Sequence, residues 1–186
     1  MFSGRTYRIG DRIEIDGSFG DVIDIGLLYT TLLEIRGWID GDQATGRMVI
    51  VPNGKVLSGA IYNYSKDHNF IWDEISIPIT YSSDWHKARE IIRNIVAKET
   101  EQTSKSSKQT LSNLSNRYYI SSRETEPATF MRLTDNWILL SVRYVSSVQE
   151  RRTTQNKINQ LILEAIEKEK DISIASETLI INTKSK

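Results

Sequence analysis

The sequence predicts a small five-stranded β-barrel followed by a ferredoxin-like α/β domain. Residues 5–65 contain five short apolar segments, separated by polar or glycine-containing turns. A polar linker lies at residues 65–69, and beyond it strand and helix patterns follow one another in the order βαββαβ. That order is typical of a ferredoxin-like domain. The two domains are therefore expected at residues 1–65 and 66–186.

The first domain is predicted to be all-β because its apolar residues recur with the period of two that half-buried strands show. The predicted strands are residues 12–16, 21–25, 31–35, 47–51 and 60–64. Gly26 indicates a bend or bulge, and the polar residues 36–46 indicate a long hairpin connection. Five short strands cannot form a large sheet, whereas a small barrel closes them without leaving free edges.

The second domain combines strand and helix periods. Its predicted strands are residues 72–79, 129–133, 137–145 and 178–181. Apolar residues at helical spacing predict one helix that begins after Ser83, a suitable N-cap, and a second helix at residues 149–168. Between the first helix and the next strand, residues 100–126 are rich in Ser, Thr, Asn, Gln and Lys. This segment is predicted to be a mobile polar excursion.

The bulk composition narrows the functional classes. Of 186 residues, 39% are hydrophobic and 26% are charged, as in ordinary folded proteins. Basic and acidic residues both number 24, so the formal net charge is zero, whereas nucleic-acid-binding proteins usually carry a basic excess. No nucleic-acid partner is therefore expected. The absence of cysteine excludes disulfides and thiolate metal sites.

No apolar run approaches the roughly 20 residues that a membrane-spanning helix needs. The densest apolar stretches, residues 48–51 and 137–140, are as short as strands. Residues 1–8 lack the apolar core of a signal peptide. This chain is therefore expected not to cross a membrane by itself, and not to form a pore by itself.

Motifs for catalysis or ligand binding are incomplete. His68 and His86 have no partners at metal-ligand spacing. Gly54 and Lys55 lack the earlier glycine and the following Ser or Thr of a phosphate-binding loop. Residues 40–42, Asp-Gly-Asp, lack the later ligands of a calcium loop, so a solvated hairpin loop is expected there. The sequence predicts no enzyme, no metal site and no cofactor.

Two longer motifs are more specific. The first is RTYRIGDRI at residues 5–13, followed by GDV at residues 20–22 and Thr-Thr at residues 30–31. The second is VIVPNGKV at residues 49–56, followed by IYNYS at residues 61–65. Together they resemble the β domain of MscS-type mechanosensitive channels, in which an R-P-F-x-x-G-D segment leaves the pore helix and a strand ends in I-P-N. The order of the α/β part is also similar, so the resemblance covers nearly the whole chain.

The motif residues are expected to have structural or assembly roles. They are Arg5, Tyr7, Gly10, Asp11, Gly20, Thr31, Pro52, Asn53, Gly54, Asn63 and Ser65. Gly10 and Asp11 are expected to turn the chain into the first strand. Pro52 is expected to end a ladder because it lacks an N–H donor. Asn53 and Gly54 are expected to provide the left-handed backbone of a tight turn.

The sequence departs from the family pattern at three places. Thr6 stands where the family usually has proline, and the hairpin at residues 36–46 is longer than in compact members. Residues 174–177 contain no proline, although the family often carries prolines before a last strand that joins an axial barrel. The strand at residues 178–181 is therefore expected either to join such a barrel or to complete its own sheet.

The resemblance implies an Sm-like barrel and a ferredoxin-like domain in a channel that opens under membrane tension and releases solutes on osmotic downshock. This chain would be the vestibule at the cytoplasmic face of the cell membrane. It would form a homo-oligomeric ring, a heptamer, attached to the membrane by helices absent from this chain. Contacts between subunits are expected through residues 49–51 and 61–64.

The alternative is a soluble module of the same two folds that binds RNA or protein. One face of the predicted strand at residues 137–145 carries Trp137 and Arg143, an aromatic and basic pair of the kind that RNA-binding sheets show. Core packing and edge placement explain the pair equally well. Salt-dependent binding of RNA by the purified chain would favour the alternative.

Overall fold

The first domain contains the five strands that the sequence predicts, with small shifts of their ends. The computed structural model describes residues 6–39, 41–115 and 123–176, so Arg5 lies outside the described residues. The elements are β1 (Arg12–Ile15), β2 (Ser18–Ile25), β3 (Tyr29–Ile35), β4 (Ala44–Pro52), α1 (Lys55–Ser58) and β5 (Ile61–Asn63). The one-turn helix α1 was not predicted.

These strands form one antiparallel sheet in the order β4-β3-β2-β1-β5. Within the described residues, β4 and β5 do not pair with each other, so the predicted closed barrel is wrong and the sheet keeps two open edges. The one-turn helix α1 lies between β4 and β5 along the chain, and an exposed ion pair of 2.9 Å joins its Lys55 to Asp16. The three residues of β5 pair with β1 alone.

The sheet bends around a small core. The register shifts between Val22 and Asp24 and again between Leu33 and Ile35, and such bulges increase the local twist. At Gly20 an added Cβ would lie 2.7 Å from the carbonyl oxygen of Leu33, so the close approach of β2 and β3 requires glycine there. The buried apolar residues are Tyr7, Ile13, Ile15, Val22, Leu32 and Val51.

The second domain consists of β6 (Phe70–Ile79), α2 (Trp85–Ser115), β7 (Ala128–Leu133), β8 (Ile138–Ser147) and α3 (Arg151–Ile166). Its antiparallel sheet has the order β6-β8-β7. An isolated antiparallel bridge joins Ile79 of β6 to Ile174. The described residues thus contain the first five elements of the predicted βαββαβ order. The sixth, the strand at residues 178–181, lies outside the described residues.

Alternation in β6 and β8 and helical spacing in α2 and α3 build one core between the sheet and the helices. The strands contribute Ile75, Ile77, Ile79, Ile138, Leu140, Val142 and Tyr144, and the helices contribute Ala88, Ile92, Val96, Ile158, Ile162 and Ile166. These spacings were visible in the sequence, and the helical assignments to residues after Ser83 and to residues 149–168 are confirmed within a few residues.

The helix α2 extends to Ser115 and has 31 residues, so the predicted polar excursion is wrong for residues 100–115. The polar side chains continue the helix because several of them are buried and hydrogen-bonded. Thr100 Oγ1 donates to the Val96 carbonyl at 2.8 Å, and Ser104 Oγ donates to the Thr125 carbonyl at 2.9 Å. Small polar residues here do the packing that aliphatic residues do in the first half of the helix.

Candidate functional site

Residues of the two long motifs meet at one end of the β sheet. The Tyr7 hydroxyl donates to Thr30 Oγ1 at 2.8 Å, and Thr30 Oγ1 donates in turn to Asn53 Oδ1 at 2.8 Å. Both Tyr7 and Thr30 are buried. Buried hydroxyls need such partners, because an unpaired one costs free energy. This network ties the segment before β1 to the ends of β3 and β4.

Asn53 carries the network into the loop between β2 and β3. Its Nδ2 donates to the carbonyl oxygens of Gly26 at 2.9 Å and Leu27 at 3.0 Å. Its backbone N–H donates to the Leu28 carbonyl at 2.8 Å. Three hydrogen bonds from one residue fix this loop, although the Leu27 side chain is 93% exposed and that of Leu28 is 66% exposed.

One expectation about these motifs needs correction. Gly54 has a φ of −59°, and neither it nor Asn53 has a positive φ, so the expected left-handed turn is wrong. Thr31 is half-buried on the other face of β3, and its neighbour Thr30 makes the hydrogen bonds of this network. Pro52 is the last residue of β4 and pairs with Tyr29, where a missing N–H donor ends the ladder.

A second network holds the entry into β1. Asn63 Nδ2 donates to Asp11 Oδ2 at 2.8 Å, and the Ser65 N–H donates to Asn63 Oδ1 at 3.0 Å. Ser65 Oγ accepts from the backbone N–H of Arg12 at 2.8 Å. Gly10 has a φ of +92°, the left-handed region that favours glycine. The motif residues Gly10, Asp11, Asn63 and Ser65 therefore lie together. Gly10 and Asp11 form the turn before β1, and Asn63 and Ser65 hold that turn by hydrogen bonds.

The two open edges of the β sheet carry large exposed apolar side chains. On β4, Met48 is 68% exposed and Ile50 is 65% exposed, and on β5 Tyr62 is 59% exposed. An edge strand presents unpaired backbone N–H and C=O groups, and contiguous exposed apolar area is typical of a protein interface. The sequence prediction placed contacts at residues 49–51 and 61–64, the same two strands.

The junction between the domains is the other polar centre of the molecule. The Arg12 guanidinium makes two hydrogen bonds to the Asp21 carboxylate, at 2.7 and 2.9 Å, and donates to the Val148 carbonyl of the second domain at 3.0 Å. The hydrogen bond to Asp21 outweighs burial and raises the pKa of Arg12. The positive charge of Arg12 on β1 therefore contacts the backbone carbonyl of Val148, directly after β8.

The expected solvated loop at residues 40–42 is wrong for Asp42, whose side chain is 10% exposed. Asp42 Oδ1 accepts from Arg36 Nε at 2.7 Å, and Asp42 Oδ2 accepts from Arg151 of α3 at 2.9 Å. Burial favours the neutral acid, but the hydrogen bonds from Arg36 and Arg151 outweigh it and lower the pKa of Asp42. In the sequence, the unusual length of the hairpin at residues 36–46 indicated that this segment was special. No sequence pattern indicated that Arg151 would be the partner of Asp42.

Two further residues of the second domain extend this charged junction. Arg151 Nε lies 3.0 Å from Asp73 Oδ1, and Asp73 Oδ2 accepts from the Tyr144 hydroxyl at 3.0 Å. Burial, with the nearby Asp73 charge, raises the pKa of Tyr144, which keeps the phenol neutral. No motif predicted this arrangement because its residues come from β6, β8 and α3.

On the uncovered face of the second sheet, Arg143 lies over Trp72 rather than beside Trp137. Its guanidinium is 5.4 Å from the Trp72 ring centre, and that of Arg123 is 6.0 Å away. Trp137 directly precedes β8, whereas Arg143 lies in the middle of that strand. The aromatic and basic pair weighed from the sequence is therefore not the one that the fold forms.

Among the residues described, no group of three or more His, Cys, Asp or Glu side chains is placed to hold a metal ion. His86 stacks on Trp85 with ring centres 3.5 Å apart, and His68 lies 4.6 Å from the Phe70 ring. Both histidines thus have aromatic neighbours. The described parts of the chain also contain no helix that is both long and apolar enough to span a membrane.

Two family models match the chain, one to each domain. The model described as the mechanosensitive ion channel β-domain matches residues 1–66. The model described as the C-terminal part of the mechanosensitive ion channel MscS matches residues 73–174, more than half of the chain. The chain therefore belongs to the MscS family of mechanosensitive ion channels. Members of this family are ion channels and not enzymes.

Curated relatives match about half of the chain. A protein of Buchnera aphidicola subsp. Baizongia pistaciae, named an uncharacterized MscS family protein, is 33% identical over 95 residues, 51% of this chain and 30% of that protein. A protein of Archaeoglobus fulgidus with the same description is 36% identical over 96 residues, 52% of this chain and 30% of that protein. The small-conductance mechanosensitive channel of Edwardsiella ictaluri is 27% identical over 96 residues. The matched part is thus less than a third of the length of the first two relatives.

Solved channel structures share the fold. The closed-state crystal structure of MscS from Helicobacter pylori has a TM-score of 0.67 and 19% identity, covering 97% of this chain and 60% of that chain. The structure of MSL1 from Arabidopsis thaliana has a TM-score of 0.55 and 20% identity, covering 93% of this chain and 54% of that chain. The fold of this chain therefore has counterparts within both of these longer chains.

Proposed function

We propose that this chain is the vestibule of a mechanosensitive channel, on the cytoplasmic side of the membrane. It assembles with copies of itself into a ring of seven below a pore that other segments of the channel form. Solutes reach the pore through openings between neighbouring subunits, and the pore opens under membrane tension during osmotic downshock. Membership of the MscS family supports this proposal, as does the match of both domains.

The observation that carries the assembly is the pair of open edges at β4 and β5. They lie at opposite ends of the strand order, so β4 of one subunit pairs with β5 of the next. Such a contact joins two different surfaces, and a repeated contact of that kind closes into a ring when the rotation allows it. Ile50 and Tyr62, both more than half exposed, then become buried between subunits.

The natural absence of cysteine allows a direct test. A chain with Ile50→Cys and Tyr62→Cys forms intermolecular disulfides on oxidation and gives a ladder of cross-linked species that ends at seven subunits. Light scattering gives a mass near seven times 21.3 kDa for the uncross-linked chain. The control combines Ile50→Cys with Leu163→Cys on α3, another exposed apolar position, and gives no ladder. A monomer at every concentration, with no ladder from the first pair, contradicts the assembly.

One observation supports the alternative of an RNA-binding module. Trp72 lies under Arg143 and near Arg123 on the sheet face that the helices leave uncovered. The acidic residues Glu124 and Glu126 line the same hollow and offset this positive charge. The test is RNA binding by the purified chain at increasing salt, compared with Trp72→Ala. Salt-sensitive binding that this variant loses would favour the RNA-binding function over the vestibule.

A further inference from the structure

We propose that Asp42 is a positioning residue that sets the orientation of the two domains relative to each other. It is the central member of a clasp formed by Arg36, Asp42, Arg151 and Asp73. The hairpin between β3 and β4 contributes Arg36 and Asp42, and the second domain contributes Arg151 and Asp73.

The first domain presents Asp42 from a rigid support. The guanidinium of Arg36 lies over the Phe19 ring, 3.9 Å from its centre, and the Phe19 ring is 6.1 Å from that of Tyr64. Arg36 Nε then donates to Asp42 Oδ1 at 2.7 Å. Because the aromatic ring holds the guanidinium in place, the carboxylate meets the second domain in one orientation.

The second domain presents Arg151 beside a buried carboxylate. Arg151 donates to Asp42 Oδ2 at 2.9 Å, while its Nε lies 3.0 Å from Asp73 Oδ1. The Asp73 side chain is 4% exposed and accepts a hydrogen bond from the buried Tyr144 hydroxyl. Arg151 is thus paired with a buried carboxylate of its own domain through an ion pair, without a hydrogen bond from Nε, and its position reports the orientation of that domain.

Asp42 is decisive because each of its two oxygens binds an arginine from a different domain. Removing its charge leaves the Arg36 and Arg151 guanidinium groups facing each other across the place of the lost carboxylate. Arg151 keeps Asp73 as a partner, but Arg36 loses its ion pair in a partly exposed site, so the link between the domains weakens and their relative orientation is expected to vary. The hydrogen bond from Arg152 to Gln43, 3.1 Å long, is exposed and has a neutral acceptor, so it adds less.

The clasp also matters for solute passage, and this consequence rests on the proposed vestibule. In the proposed vestibule, openings between subunits that are bounded by both domains would change in width with the angle between the domains. A longer hairpin that reaches α3 would hold that angle fixed. The positioning role itself is a property of one chain and is tested without reference to a ring or a channel.

The test measures distances between spin labels on a chain that has no native cysteine. Labels at Asp24→Cys and Asn159→Cys, on exposed positions of β2 and α3, report across the junction. Labels at Asn94→Cys and Asn159→Cys report within the second domain. Labelled chains are diluted with unlabelled protein, so that only distances within one chain are measured. Each pair is combined with Asp42→Asn, Asp42→Glu or Glu34→Gln.

With Asp42 unchanged, the labels at residues 24 and 159 are expected to give one narrow peak in the distance distribution. Asp42→Asn is expected to broaden or shift that peak. Asp42→Glu retains a carboxylate and is expected to retain more of the peak. Glu34→Gln is the matched control, because it breaks an ion pair of 2.5 Å with Arg47 that lies within the first domain. The pair within the second domain stays narrow throughout, which shows that the fold is intact. An unchanged junction peak in Asp42→Asn, or an equal change in Glu34→Gln, overturns the proposal.

Discussion

At the scale of single residues, the two glycines Gly20 and Gly54 show how differently one residue type acts within the same motifs. Gly20 lies where β2 and β3 approach closely, and an added methyl group would meet the Leu33 carbonyl at 2.7 Å. Gly54 has an ordinary right-handed backbone, with no atom within 4 Å of an added Cβ. The resemblance to the family motifs marked both glycines as structural residues. Only the packing around them shows that Gly20 requires glycine and that Gly54 does not.

We therefore expect Gly20→Ala and Gly54→Ala to have different effects on the free energy of unfolding. Gly20→Ala forces two strands apart and is expected to destabilise the protein by about 1–3 kcal/mol, as overpacking does. Gly54→Ala restricts the unfolded chain without strain and is expected to be neutral or to stabilise by roughly 0.4–1 kcal/mol. Urea unfolding measures both. Equal destabilisation by the two substitutions would contradict the packing of β2 on β3.

At the scale of elements, the second half of α2 is a helix without an aliphatic stripe. Its buried side chains after Val96 are Thr100, Ser104, Ser107 and Leu114. A search for apolar residues at helical spacing ends this helix too early, because it counts serine and threonine as polar and therefore exposed. The partner that makes Ser104 a core residue is Thr125, which is 21 residues further along the chain.

The hydrogen bond from Ser104 gives a prediction at this scale. Ser104→Ala leaves the buried Thr125 carbonyl without that donor, and it is expected to lower the free energy of unfolding by about 1 kcal/mol. Ser106→Ala is the control, since Ser106 is exposed and donates only to the Thr103 carbonyl of its own helix. Thermal and urea unfolding distinguish the two variants. An equal effect at both positions would mean that Ser104 is not a packing residue.

At the scale of the whole molecule, the two domains meet through charges rather than through a shared apolar core. The two clusters of buried apolar residues lie one in each domain, and Phe70, Val145 and Val148 are buried outside both. The junction carries Arg12 against Val148 and the clasp around Asp42. Stability of the interdomain arrangement should therefore depend on pH, whereas the two cores should not.

We expect the clasp to weaken in acid. The pKa of Asp42 in the folded chain lies below its ordinary value of 3.8, so the stabilisation from this carboxylate is fully present above pH 3.8 and is lost as the pH falls through the folded pKa. The difference in free energy of unfolding between the wild type and Asp42→Asn should thus be constant near neutral pH and shrink below pH 3.8. Urea unfolding over this pH range measures it, and a constant difference into strong acid would argue against the clasp.

The sequence by itself determined the five strands of the first sheet, the three strands of the second sheet, the starts of both long helices and the motifs that mark the family. These depend on local alternation, helical spacing and turn chemistry, which are properties of neighbouring residues. Only the tertiary structure decided that the β sheet stays open, that Thr30 rather than Thr31 joins the network, and that Asp42 bridges the domains. Asp42 and Arg151 are 109 residues apart, and no local pattern encodes a pairing over that distance. Such contacts arise when folding brings separate elements together, because a charge removed from water is unfavourable unless it is paired with an opposite charge.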